Sequence, residues 1–81
     1  METIRQVYDY LRAYNINIPI DDIWWGKTFE YGVHLAIKIE GDFENVISLM
    51  KDVNFELLFK RTATDTPIGD FTILYFRENN H

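Results

Sequence analysis

The side chains in this sequence that could do chemistry are few and widely spaced. The metal-ligand types are limited to two imidazoles, His34 and His81, and to acids, of which Asp21 and Asp22 form an adjacent pair. A catalytic metal is usually held by three converging protein ligands, and these residues lack the i, i+4 spacing that sets two ligands on one helical face. No metal site is expected. His34 reads as an outward polar residue of a half-exposed strand, His81 as a frayed terminal residue, and the two aspartates as a solvated connector or the cap of a short turn.

Covalent catalysis would require a serine or threonine beside an oriented base. Ser48 falls opposite the apolar stripe of its helix, where a solvent-facing serine is ordinary. Thr62, Thr64, Asp65 and Thr66 read as loop residues that bond local backbone, with Thr66-Pro67 only a weak match to a phosphorylation motif. The glycines, at positions 26, 32, 41 and 69, are too dispersed for a loop that cradles phosphate. The sequence therefore predicts no catalytic residue, no cofactor and no enzymatic activity.

The most unusual run is Asp21, Asp22, Ile23, Trp24, Trp25, Gly26, Lys27. Neighbouring residues on a strand point to opposite faces, so one tryptophan can join a core while the other needs a different cover. Trp and Tyr are over-represented among the residues that dominate binding energy. Asp21, Asp22, one of Trp24 and Trp25, and Tyr31 are accordingly the candidate partner-binding residues. The competing structural reading packs the second Trp against Tyr31 or an apolar residue of the last hairpin.

Composition narrows the partner. A net charge of −5 repels phosphate backbones, which disfavours nucleic acid, and Lys60-Arg61 is the sole adjacent basic pair. The acids are scattered rather than clustered into a DNA-like array. No run approaches the roughly 18 apolar residues of a membrane span, and Met1-Glu2 leads into a polar helix rather than a signal peptide. With no cysteine, neither a disulfide framework nor a Cys-based zinc site is available, and a cytoplasmic location is expected. The expected function is a small acidic protein-binding module, an inhibitor or immunity-type protein blocking a basic site on an enzyme. The alternative is a homo-oligomeric subunit, such as a homodimer, associating through an exposed sheet face.

The elements that must position these residues follow from periodicity. Thr3 and Gln6 have capping-box spacing ahead of Ile4, Val7, Tyr8, Leu11 and Tyr14, which predicts a helix over about 4–14, ended at Asn15. Pro19 marks an extended connector. Strands are expected over about 23–29, 33–40, 55–62 and 71–77. In the second of these Val33, Leu35, Ile37 and Ile39 alternate with His34, Ala36, Lys38 and Glu40. Asp42 caps a second helix over about 43–53, with Phe43, Val46, Ile47, Met50 and Val53 as its stripe and Asn54 as its close. The 81 residues thus read as one α+β domain, a two-layer sandwich in the order αββαββ with both helices on one face of a mainly antiparallel sheet. A faint echo between the halves, about 38 residues apart, aligns the two helix stripes and places Gly32 with Gly69. The last hairpin is apolar on both sides, so either Leu58, Leu74 and Phe76 or Leu57, Ile73 and Tyr75 are expected to form an uncovered patch.

Overall fold

A computed structural model describes residues 2–79. His81 lies outside them. The elements run α1 (Glu2–Ala13), a single 3-10 turn (Ile20–Asp22), β1 (Ile23–Thr28), β2 (Gly32–Ile39), α2 (Glu44–Asp52), β3 (Phe55–Ala63) and β4 (Phe71–Glu78). The four strands form one antiparallel sheet in the order β1-β2-β4-β3. Exchanging the first αββ half with the second leaves that order unchanged when it is read backwards.

Each helix ends where an asparagine adopts the left-handed conformation. Asn15 has φ 64° and Asn54 φ 69°. At the end of α1 the Asn15 amide donates to the Arg12 carbonyl and the Ile16 amide to the Leu11 carbonyl, both at 3.0 Å. This pairing satisfies carbonyls the helix would otherwise leave open, and it turns Ile16 back towards the core. The start of α1 differs from the sequence expectation. The helix begins at Glu2, so Thr3 lies inside its first turn rather than ahead of it, and Tyr14 falls beyond its end, exposed. α2 is shorter than its stripe suggested: Phe43 occupies the cap position and Val53 lies past the end. Asp42 still serves the helix from one residue further out, its Oδ1 accepting from the Glu44 amide at 3.1 Å.

Both helices cover the same face of the sheet. Val7 and Leu11 of α1 and Val46 and Met50 of α2 pack with Ile23, Leu35, Ile37, Ile39, Phe55, Leu74 and Phe76. These strand residues share one side by register, since Ile23 lies opposite Ile37, Ile37 opposite Leu74, and Leu35 opposite Phe76. The Tyr10 hydroxyl ties the helices together by donating to the Leu49 carbonyl at 2.9 Å. Burial raises the Tyr10 pKa, with smaller contributions from Tyr14 and Asp52, so the phenol stays a donor.

The pattern of the last hairpin is interrupted by a bulge between Leu57 and Phe59. Simple alternation grouped Leu57 with Tyr75 and Leu58 with Phe76. The extra residue instead sets Leu57 opposite Phe76, against the core, and Phe59 opposite Tyr75, facing away. Neither expected set survives as an exposed patch, because Leu74, Phe76 and Tyr75 are all buried by the chain itself. One inserted residue reverses every side chain beyond it.

Leu35 and Ile37 are fully enclosed beneath the helices. Truncating either to alanine should lower unfolding free energy by about 2–5 kcal/mol in denaturant titration. A change below about 0.5 kcal/mol at both would mean that the strand faces are reversed.

Candidate functional site

The sequence-derived candidates all lie on β1 or its flanks, but they do not converge. Asp21 and Asp22 form the 3-10 turn that leads into the strand, where the Asp22 amide donates to the Pro19 carbonyl at 2.9 Å. Asp21 is exposed, whereas Asp22 is half-buried in an open cleft of about 460 Å³ shared with Lys38, Glu40 and Asp42. Tyr31 stands in the turn at the opposite end of β1, and the six residues between cover roughly 20 Å at 3.3 Å each. Trp24 and Trp25 point to opposite faces as expected. Trp25 lies opposite Leu35 on the helix side, and Trp24 opposite Ala36 on the far side. Trp25 is the more exposed, at 38%, because it sits on the outermost strand where helix cover runs out.

Tyr31 is held by two contacts. Its amide donates to Thr28 Oγ1 at 3.0 Å, and its ring leans over Phe59 with centroids 5.2 Å apart. Phe59 in turn stacks on Tyr75 at 4.3 Å, and His34 meets the Tyr75 ring edge-on at 5.1 Å. Ring pairs at such spacings add about 0.5–1.5 kcal/mol beyond the area they bury. The Tyr31 ring thus caps an aromatic row across the face that no helix covers. A hydrogen bond with Glu30, followed by the charge of the same carboxylate, raises the Tyr31 pKa.

His34 corrects the sequence reading. It points away from the helices as expected, but it is only 3% exposed. Its imidazole fills the space above Gly26, directly opposite on β1, where an added Cβ would stand 2.7 Å from Nε2. The Nδ1 atom lies 3.3 Å from the Gly32 carbonyl, which accepts when the proton is on that nitrogen. Gly26 is therefore a packing requirement of this histidine. No group of three His, Cys, Asp or Glu side chains among the described residues could hold a metal ion. Ser48 is exposed on α2, and the Thr66 hydroxyl donates to the Gly69 carbonyl within its own turn.

The residues that sequence reasoning missed are at the tip of the β1–β2 hairpin. Phe29 was placed in the strand, but β1 stops at Thr28 and Phe29 is fully exposed. Val33 shares by alternation the strand side of Leu35, Ile37 and Ile39. It is 58% exposed because the hairpin extends past the helices. The signal available was Gly32, whose φ of 72° is needed to close the turn and shortens the strand before it. Phe29, Tyr31 and Val33 are exposed apolar residues at the tip, Val33 towards the helix side and Tyr31 towards the other face, with Trp25 further down the same hairpin. The hairpin is polarised: its tip is aromatic, while Asp21, Asp22, Glu40 and Asp42 gather at its other end.

No family model, curated protein or solved structure compared with this chain matches it. No helix among the described residues is long and apolar enough to cross a membrane.

Gly26→Ala should destabilise the fold by about 1–3 kcal/mol, since the imidazole must move to admit the methyl group. Adding His34→Ala to this variant should make the two effects clearly non-additive in a double-mutant cycle. Additive losses would show that the two residues do not share this space.

Proposed function

We propose that the chain is a protein-binding module that engages its partner with the tip of the β1–β2 hairpin. The observation that carries this reading is Phe29, fully exposed in the β1–β2 turn, with the exposed Tyr31 and Val33 following it in the same hairpin. Apolar side chains of this size gain roughly 1.5–3 kcal/mol each when a partner removes them from water. Tyr14 and Ile68 are exposed elsewhere, but Phe29, Tyr31 and Val33 fall within five residues of one turn, which favours this end of the hairpin as the contact site. Tyr31 is already fixed by Phe59 and Thr28, so little entropy is lost in presenting it.

The charge suits a basic partner, as for an inhibitor or immunity-type protein that covers a basic site on an enzyme. Support comes from the net charge of −5 and from Asp21 and Asp22 at the base of the hairpin. Acids at that distance from the tip act on encounter more than on the docked complex. Binding rather than catalysis is favoured by the enclosure of His34, which is packed against Tyr75 and Gly26 and only 3% exposed.

Affinity capture from the native host, followed by binding kinetics with the retained partner, tests this reading. Phe29→Ala should leave stability within about 0.5 kcal/mol of the parent and weaken binding by about 2 kcal/mol or more. Changing Asp21 and Asp22 together to Asn should slow association and reduce its salt dependence, with little effect on dissociation. Unchanged kinetics in both variants would remove the hairpin from the interface.

A further inference from the structure

The sheet has two edges, and they are protected very differently. β3 carries the bulge between Leu57 and Phe59 and the adjacent cations Lys60 and Arg61, devices that keep an edge from pairing with another chain. β1, at the other edge, is a regular strand that pairs only with β2. It contains a single charge, Lys27, and its middle is occupied by Trp24, Trp25 and Gly26. Its open side therefore offers backbone donors and acceptors with little to repel a second strand.

The charge along β1 selects what that strand is. Asp21 and Asp22 immediately precede it, and Lys27 lies next to its end. Parallel pairing of two copies would set acids beside acids and lysine beside lysine. Antiparallel pairing reverses one copy, so each acidic start meets the other copy's lysine, and both favourable contacts form at once. The geometry points to a two-fold dimer in which β1 pairs antiparallel with β1 of a second copy, making one continuous eight-stranded sheet. This goes beyond the hairpin tip as a partner site.

The register is constrained as well. A two-fold axis perpendicular to the sheet keeps each face on its own side, so paired residues must have numbers of like parity. The pairing that centres the aromatic segment sets Trp25 beside Trp25 of the second copy. Lys27 then lies opposite Ile23, with the acids of the 3-10 turn that leads into the second copy's β1 next along the chain. Trp24 lies opposite Gly26, over which the His34 imidazole already lies. The two hairpin tips point in opposite directions, roughly 30 Å apart, and both remain free.

Sedimentation velocity on the purified protein, with no partner added, tests the dimer at about 100 µM. The expected species has twice the 9.7 kDa mass of the chain. Lys27→Glu should weaken the dimer by about tenfold or more, because both contacts become repulsive. Combining it with Asp21→Lys and Asp22→Lys should restore dimerisation. The chain has no cysteine, so Trp25→Cys provides a clean second probe. Paired residues across antiparallel strands lie about 4.5–5.5 Å apart between Cα atoms, within disulfide range, so this variant should cross-link under mild oxidation while Ser48→Cys should not. A monomer at this concentration, a dimer unaffected by Lys27→Glu, or a dimer that does not cross-link at Trp25 overturns the proposal. None of these results bears on whether Phe29 binds a different protein.

Discussion

A four-stranded sheet has two faces, and this chain has two helices, both needed on the same side. The structure depends on how the second face is closed without a further layer. Burying one face beneath α1 and α2 uses the whole amphipathic content of both helices, from Val7 and Leu11 to Val46 and Met50. The far face is closed by the side chains of the sheet and its turn. Tyr31, Phe59 and Tyr75 lie ring over ring, and His34 fills the space that Gly26 leaves. As a result Ala36 is fully buried and Tyr75 only 8% exposed, on a face that amphipathic patterning would leave to solvent.

This arrangement links local irregularities to the surface the protein presents. The bulge at Leu57/Phe59 turns Phe59 outward to meet Tyr75, and the positive φ of Gly32 shapes the turn that brings Tyr31 over Phe59. Without the bulge, alternation would send Phe59 towards the helices and leave Tyr31 without its support. The same turn lifts Phe29 and Val33 away from the body of the protein. A tip anchored by the Tyr31–Phe59 ring contact and the Tyr31–Thr28 hydrogen bond therefore presents apolar area with little ordering cost.

Charge is arranged along the hairpin rather than across the molecule. Asp22, Glu40 and Asp42 line the open cleft at its base with Lys38, and the aromatic residues lie at its far end. On β1 the acids, the tryptophans and Lys27 follow one another in sequence, so one edge combines steering charge with contact area. The other edge carries its cations beside a bulge and a cross-strand ion pair between Glu56 and Arg77 at 2.8 Å, in solvent, where such a pair adds little stability. The two edges thus differ in their capacity to accept another strand.

The sequence alone determined what depends on neighbours within a few residues. The order αββαββ, the two helix stripes, the helix stops at Asn15 and Asn54 and the opposite directions of Trp24 and Trp25 all follow from local periodicity and backbone sterics. The core face of β2 was legible at Leu35, Ile37 and Ile39 for the same reason. The tertiary structure decided what depends on distant residues. Val33 has the right alternation for the core, yet no helix reaches it. His34 has the pattern of a solvent residue, yet Gly26 and Tyr75 enclose it. The bulge cannot be read from β3, because alternation puts Phe55, Leu57 and Phe59 on one face and only pairing with β4 turns Phe59 to the other. The candidate site was legible as a segment, Asp21 to Tyr31, but not as a shape: strand rise separates its acids from its tyrosine, and the projection of the hairpin past the helices is what exposes Phe29.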